Sequence, residues 1–400
     1  MWRGVLAGCF ALGLSAGGAW AQKCGGSFDQ FVQDLRAEAA QRGYDRATID
    51  AFFRHADFDQ RTLDADRRQG VFTLPFTEFS RRLISQNRID NGRRNAERHS
   101  AIFDEVERRF GVSRGILLSF WAFETDYGAF QGDFNTLDSL VTLAHDCRRP
   151  ELFHPEVFAA LELFARGDFD PVNTQGAWAG EIGMVQMLPE DIVTHAIDGD
   201  RDGRISLQTS AADALLSGAN ILSSLGWRAG EPWLVEITIP DDLDWYETGI
   251  HSAKTVSAWE ADGVRARNGT LPMPNAAASI ILPEGRFGPA FLAYPNFSVL
   301  FEWNQSFTYV LTAAYFATRL EGAPVFDARN PEPGLTRDEM QALQRKLEAR
   351  GHDVGGTTGI LGARTRAAVR AEQRKLGLPA DAWPTRALLN AVGPFFFTFW

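Results

Sequence analysis

Glu124 is the acidic residue that the sequence places best for acid–base chemistry. It lies near the end of the segment SRGILLSFWAFETDYG, residues 113–128. Ser113 is a favoured N-cap, the apolar residues recur at helical spacing, and Gly128 is a typical stop, so the segment predicts a helix. That helix is the element that must position Glu124.

The neighbours of Glu124 on this helix are apolar. Leu117, Phe120 and Trp121 precede it by seven, four and three positions and share its face, whereas Asp126 points elsewhere. Burial disfavours the charged form of a carboxyl group and raises its pKa, which suits a general acid near neutral pH. The alternative is a helix-end glutamate that caps a backbone group or pairs with an arginine, and this segment alone leaves both interpretations open.

A second segment, GAWAGEIGMVQMLPED from Gly176, carries groups that suit sugar binding. Gly180 and Gly183 leave the backbone open to close approach. Trp178 offers a stacking face, and Gln186 offers a paired hydrogen-bond donor and acceptor. The competing interpretation is a tight helix that packs through its small residues.

Asp198, Asp200 and Asp202 have the spacing of the first ligands in an EF-hand calcium loop. The twelfth position, normally a bidentate glutamate, is Thr209 here. The pattern favours a structural loop over tight calcium binding, and it leaves open whether Asp213 replaces the missing ligand.

Three further polar residues are candidates for ligand contacts. Tyr294, Asn296 and Asn304 occur where an aromatic loop meets a predicted helix, in GPAFLAYPNFSVLFEWNQ. Packing of polar groups at a turn would explain them equally well.

Composition excludes some functions. The chain has 400 residues, is 45% hydrophobic and has a formal net charge of −11, so it is long enough for two or three compact units. Its basic residues are mostly scattered arginines balanced by acids, which is typical of solvated helix faces. Nucleic acid is therefore not expected as a partner.

The N-terminus predicts export. Arg3 precedes an apolar run that ends in Ala19-Trp20-Ala21, a small-x-small cleavage pattern, so we expect cleavage after Ala21 and a periplasmic protein. Lipid attachment at Cys9 is the less favoured alternative, because the apolar run continues beyond it. No later segment approaches the length of a transmembrane helix.

Two cysteines remain after such cleavage. An even count in an oxidising compartment favours a disulfide between Cys24 and Cys147, with free buried thiols as the alternative.

Most of the chain reads as amphipathic helix, with short strands at LVEITIP and ASIILPEG, which predicts a mainly α fold with small β elements (α+β). A proline-rich linker separates a small module of three helices at the C-terminus. The predicted organisation is a signal peptide at 1–21, a main domain at 22–322, a linker at 323–334 and a C-terminal domain at 335–400.

These motifs together resemble the B-type lytic murein transglycosylases. The order of ETDYG, GAWAGEIGMVQMLPED, DGDRDGR, GPAFLAYPNF and WNQSFTYVLTAAYFATRL is similar to that family over roughly Phe28 to Gly322. The C-terminal module resembles the three-helix peptidoglycan-binding domain of many wall enzymes.

The resemblance implies a lysozyme-like catalytic core in which Glu124 is the essential acid and Gln186 contacts the substrate. It implies peptidoglycan glycan strands as the partner, no required cofactor, and an aspartate loop that could hold a structural calcium ion. We expect a monomer. The chain departs from the usual family pattern at Ala177, Asp126 and Met187, which affects fine specificity and leaves the acid in place.

The resemblance also implies a mechanism that needs only one carboxyl group. Glu124 would protonate the bond between N-acetylmuramic acid (MurNAc) and N-acetylglucosamine (GlcNAc), then deprotonate the C6 hydroxyl that closes a 1,6-anhydro ring. A hydrolytic muramidase with Asp126 or Glu181 activating water is one alternative, since most glycosidases use two carboxyl groups. A non-catalytic wall-binding protein is the other.

Overall fold

The computed structural model describes residues 24–67, 74–250 and 252–393. The predicted signal peptide, the alternative lipid site at Cys9 and the aromatic segment 394–400 lie outside these ranges. Among the described residues, no helix has both the length and the apolar character needed to cross a membrane.

Helices dominate the described part of the chain, in agreement with the predicted mainly α fold. Those before residue 322 are Phe28–Gln41 (α1), Arg46–Phe53 (α2), Gln60–Arg67 (α3), Phe76–Leu83 (α4), Gln86–Arg98 (α5), Ser100–Phe110 (α6), Arg114–Thr125 (α7), Thr136–His145 (α8), Pro150–Arg166 (α9), Pro189–His195 (α10), Ala211–Ser224 (α11), Val256–Ala261 (α12), Pro295–Trp303 (α13) and Phe307–Leu320 (α14).

Helix α7 is the predicted helix of Glu124, and it runs through the centre of the main domain. Ser113 is its N-cap and accepts a hydrogen bond from the N–H of Gly115. The helix packs against α14 and α5, and the Ser119 hydroxyl donates to the carbonyl of Ala313 at 2.9 Å. Ile116, like most of the helix, is fully buried, and burial of each such side chain contributes about 1.5–3 kcal/mol. The core therefore fixes α7 from several sides.

Two small antiparallel sheets accompany the helices. Strands Phe134–Asn135 (β1) and Gln175–Gly176 (β2) form one pair. The other sheet has the order β4-β6-β7-β3-β5, with strands Leu234–Thr238 (β3), Lys254–Thr255 (β4), Arg265–Ala266 (β5), Ala277–Ile281 (β6) and Phe291–Ala293 (β7). Strands β3 and β6 coincide with the predicted runs LVEITIP and ASIILPEG.

The central strands β6 and β7 of the larger sheet are buried on both faces, and their successive side chains point alternately into two apolar clusters. Ile281 and Phe291 pack into the helical core, whereas Ile280 and Leu292 belong to a separate cluster with Trp259. The pairing Ile280 with Leu292 and Ile281 with Phe291 keeps the two sets apart, as the two-residue period of a strand requires.

The C-terminal module consists of helices Arg337–Ala349 (α15), Ala363–Lys375 (α16) and Arg386–Ala391 (α17), as the sequence predicts. A capping box between Thr336 and Glu339 begins α15. The module contacts the main domain directly, since Arg366 donates to the carbonyl of Pro283 at 2.7 Å and Arg286 pairs with Asp381 at 3.7 Å. Residues 323–335, between the two parts, have no regular secondary structure.

Cys24 and Cys147 form a disulfide in the structure, with their Cα atoms 5.2 Å apart. The bond ties the segment before α1 to the residues after α8. The backbone N–H of Gly25 also donates to the carbonyl of His145 at 2.8 Å, so the same junction is hydrogen-bonded.

Candidate active site

A cleft of about 460 Å³ contains the predicted acid and several of the predicted substrate-binding residues. Four of the predicted site residues line it: Glu124, Trp178, Gln186 and Asn304. They come from α7, from the loop between β2 and α10, and from the end of α13. The structure thus brings together side chains that are up to 180 residues apart in the sequence. Trp303 lines the same cleft, and its indole nitrogen lies 3.4 Å from Oε1 of Glu124.

Glu124 occupies the last turn of α7. The helix ends at Thr125, three residues before the predicted stop at Gly128, because Asp126 already adopts a left-handed φ of 50°. Asp126 turns away from the cleft and pairs with Arg88 at 3.0 Å. Glu124 is therefore the acid of this segment that faces the cleft, as predicted.

Two long-range donors hold the Glu124 carboxyl group. The hydroxyl of Tyr309 and the indole N–H of Trp303 both donate to Oε1, the latter at 3.4 Å. Phe120 stacks on the Trp303 ring with centroids 4.6 Å apart, so it acts on Glu124 through this tryptophan. Trp121, which the sequence places on the same helix face as Glu124, packs edge-on against Tyr127, with the ring centroids 5.7 Å apart.

The pKa of Glu124 is raised to about 7, mainly by burial and to a smaller extent by the negative charge of Glu181. The hydrogen bonds from Tyr309 and Trp303 oppose this rise, because they favour the charged carboxylate. A carboxyl group whose pKa lies near neutrality can both donate and accept a proton, which is what a single acid–base residue requires.

Gln186 is fixed by a strained turn. It adopts a left-handed φ of 55°, and its amide nitrogen donates to the carbonyls of Gly183 at 2.8 Å and Gln131 at 3.3 Å. The flanking residues Ile182 and Met187 form a β-bridge that closes the turn.

Gly183 lies beneath this turn rather than in the cleft, which corrects its prediction as a substrate contact. Its φ is 84°, and a Cβ atom there would lie 2.5 Å from the Cβ of Leu207. Glycine is required because a side chain would collide with Leu207, so the alternative interpretation of small-residue packing applies here.

Tyr294 and Asn296 are also corrected, because both are buried structural residues. The Tyr294 hydroxyl donates to the carbonyl of Pro272 at 3.0 Å inside the sheet cluster. Asn296 is fully buried, donates to the carbonyls of Arg228 and Glu231 at 2.8 Å, and accepts from the N–H of Arg228. Their hydrogen-bonding capacity is used inside the protein, so they do not reach a ligand in the cleft.

The aspartate loop has a donor set that fits a hard cation. One carboxylate oxygen from each of Asp198, Asp200 and Asp202 lies within 4.8 Å of the others, and calcium binds such oxygens. Buried Asp213 serves the loop differently, because it accepts backbone N–H groups of Gly199 and others.

Sequence reasoning missed Trp303 and Tyr309 as partners of Glu124. Tyr309 looks like a core residue of an amphipathic helix, and it is 8% exposed. The signal that could have found it is the phenol itself, since a buried tyrosine hydroxyl needs a hydrogen-bond partner.

Comparisons with known proteins agree with this geometry. Residues 27–318 match the Transglycosylase SLT domain, and residues 336–392 match the Putative peptidoglycan binding domain. Membrane-bound lytic murein transglycosylase B of Escherichia coli is 25% identical over 236 residues, which are 58% of this chain and 64% of the relative. The match thus spans less than two thirds of that relative's length.

Solved structures agree as well. SltB3 of Pseudomonas aeruginosa in complex with NAG-anhNAM-pentapeptide is 36% identical, with a TM-score of 0.84, over 92% of this chain and 100% of that chain. The same protein with NAG-NAM-pentapeptide gives a TM-score of 0.85 over the same shares, also at 36% identity. The predicted fold class and the predicted family are both confirmed: the chain belongs to the SLT transglycosylase family.

Proposed function

We propose that this protein is a lytic murein transglycosylase that cleaves the β-1,4 bond between MurNAc and GlcNAc in peptidoglycan and leaves 1,6-anhydro-MurNAc ends. The observation that carries the proposal is the Glu124 carboxyl group, whose pKa burial raises to about 7, in a cleft shared with Trp178 and Gln186. The relative SltB3 was solved with an anhydro muropeptide, which supports this type of product.

Glu124 acts twice in this mechanism. Its protonated form donates to the glycosidic oxygen as the bond to the anomeric carbon breaks, and the muramyl N-acetyl group stabilises the cationic carbon. The carboxylate then takes the proton from the C6 hydroxyl while that oxygen bonds to the anomeric carbon. Tyr309 and Trp303 stabilise the carboxylate between these two steps, because they donate to its Oε1.

Hydrolysis is the competing reaction, and either Asp126 or Glu181 would have to activate the water molecule. The two residues differ in position. Asp126 is paired with Arg88 outside the cleft, whereas Glu181 lines the cleft. The products distinguish the reactions, since transglycosylation gives anhydro ends and hydrolysis gives reducing ends.

The experiment is digestion of purified sacculi, with products identified by mass spectrometry. Wild type should release anhydro muropeptides, and Glu124→Gln should release about a hundredfold less, because the acid–base group is lost. Asp126→Asn is the matched control, since it changes the other acid of the same segment and should keep the product pattern. Undiminished release by Glu124→Gln would refute the proposal.

We further propose that the protein works as a monomer in the periplasm, with 22–322 as the catalytic domain, 323–334 as a linker and 335–400 as the peptidoglycan-binding domain. The N-terminal signal segment and the wall substrate support this location. Intact-mass analysis of the mature protein tests it: a chain beginning at Gln22 supports cleavage, whereas a lipid-modified Cys9 supports the alternative.

Calcium is proposed as a structural ion of the aspartate loop, with no role in the reaction. Asp198, Asp200 and Asp202 would supply oxygen ligands and hold the loop closed. A melting temperature that rises with added calcium and falls with chelator would support this, and one that is unchanged by both would refute it.

A further inference from the structure

Glu181 is a second carboxyl group of the cleft that the proposed reaction does not use. It follows Gly180 in the loop between β2 and α10. Its own backbone carbonyl accepts the N–H of Ala177 at 2.9 Å, so the loop folds back on itself. Its side chain contributes to the same cleft wall as Glu124.

One oxygen of this carboxyl group has no partner. Within the part of the chain that the structure describes, Oε2 of Glu181 is buried and makes no hydrogen bond. Arg149, the cation whose charge reaches Glu181, forms its ion pair with Asp66. A buried acceptor left without a donor costs about 1–3 kcal/mol, and a charged one costs more, so such groups need an explanation.

Two other buried carboxyl groups, Asp213 and Glu156, have structural hydrogen bonds. Asp213 is 1% exposed, and its two oxygens accept the backbone N–H groups of Gly199 and Ser206, each at 2.8 Å. Glu156 is 3% exposed and accepts the N–H of Glu190 at 2.9 Å. Glu181 differs from both, because it lines the substrate cleft and its buried Oε2 accepts no hydrogen bond from the described residues.

We infer that Glu181 is a substrate-binding residue whose free oxygen accepts a hydrogen bond from the bound glycan. The donor is a sugar hydroxyl or an acetamido N–H, because these are the donors that an N-acetylated glycan presents. Binding of the glycan then supplies the partner that the free protein lacks. The inference rests on the proposed function, since it takes peptidoglycan as the ligand.

The charges around Glu181 link substrate binding to Glu124. Glu124 on α7, Glu156 on α9 and Arg149 interact with it electrostatically, and Asp191, His195 and Glu302 line the same cleft. Burial raises the pKa of Glu181, and the backbone N–H groups of Glu181 and Ala179 oppose that rise. A sugar donor would favour the charged form of Glu181, and that charge raises the pKa of Glu124. The acid would therefore stay protonated while glycan is bound.

Binding is tested without turnover in a Glu124→Gln background. The ligand is the tetrasaccharide of alternating GlcNAc and MurNAc without peptide, and calorimetry gives Kd. Adding Glu181→Ala should weaken binding about tenfold, as expected for loss of a hydrogen bond to a charged group. Glu190→Ala is the matched control, because this glutamate on α10 is exposed and is not one of the described residues that line the cleft, and it should change Kd less than twofold.

Activity adds a readout that a structural role would not move. Glu181→Gln in the otherwise wild-type enzyme should raise KM more than it lowers kcat. It should also shift the alkaline limb of kcat, which reports the glycan-bound enzyme, to lower pH. An unchanged Kd for Glu181→Ala, or an equal loss for Glu190→Ala, would overturn the inference. Failure of wild type to release anhydro muropeptides would instead refute the proposed function, and the binding result would still be interpretable.

Discussion

Replacing Glu124 by glutamine should stabilise the protein at neutral and alkaline pH while it lowers activity about a hundredfold. Glutamine keeps the size of the side chain, and its Oε1 can still accept the hydrogen bonds from Tyr309 and Trp303. The main difference is that glutamine cannot ionise. The variant therefore isolates the cost of holding a carboxylate at this buried position.

The magnitude follows from the pKa of Glu124, which burial raises from 4.5 to about 7. A tenfold change in proton affinity corresponds to about 1.4 kcal/mol, so this change corresponds to about 3 kcal/mol. Because the folded pKa is the higher one, the stabilising contribution is complete below pH 4.5 and is lost as the pH rises to about 7. Between pH 4.5 and 7, the unfolding free energy of Glu124→Gln should rise by about 3 kcal/mol relative to that of wild type. Above pH 7 this difference should stay constant.

The assay is urea unfolding of both proteins at several pH values from about 4 to 8.5, followed by tryptophan fluorescence. The difference in unfolding free energy at each pH is the quantity of interest, because pH effects from other groups cancel in it. Glu97→Gln, which changes an exposed glutamate on α5, is the control for the effect of the substitution itself. A pH-independent difference for Glu124→Gln would refute the argument that this carboxyl group is held uncharged by burial.

Three further outcomes are expected. First, kcat/KM on sacculi should fall above about pH 7 as Glu124 ionises. A kcat/KM that stays unchanged up to pH 9 would contradict the role of Glu124 as the acid. Second, Tyr309→Phe should lower kcat about tenfold and move the alkaline limb to higher pH, because the lost hydrogen bond favours the carboxylate; Tyr315→Phe on the same helix should change neither. Third, Cys24→Ser should lower the unfolding free energy by about 2–4 kcal/mol, and two free thiols in unreduced, denatured wild type would rule out the bond to Cys147.

The helices could be predicted because their signals are local. Ser113 supplies the N-cap of α7 within its own segment, and the period of buried residues such as Ile116 follows from the helix geometry. The alternating strands β3 and β6 were predicted for the same reason. The exact end of α7 was missed, since Asp126 rather than glycine adopts the left-handed conformation, and aspartate does so less often.

The candidate site was only partly predictable, because its electrostatics are tertiary. Trp303 and Tyr309 contact Glu124 from 179 and 185 residues away, and nothing in the local pattern marks them as its partners. Tyr294 and Asn296 show the converse problem, because their sequence pattern predicts ligand contacts that the structure does not contain. A polar residue at a loop–helix junction has the same sequence pattern whether it faces a ligand or, as here, satisfies carbonyls inside the protein.

The proton affinity of Glu124 is a compromise between two opposing influences. Burial beside Phe120 and Trp303 alone would keep the carboxyl group protonated and make it a poor base for the second step. The donors Tyr309 and Trp303 alone would keep it ionised and make it a poor acid for the first. Trp303 is one of these donors, and its ring stacks on Phe120 of the same helix as Glu124. A reaction that uses one carboxyl group in both directions needs this balance, whereas a two-carboxyl glycosidase can assign the acid and the base to residues in different surroundings.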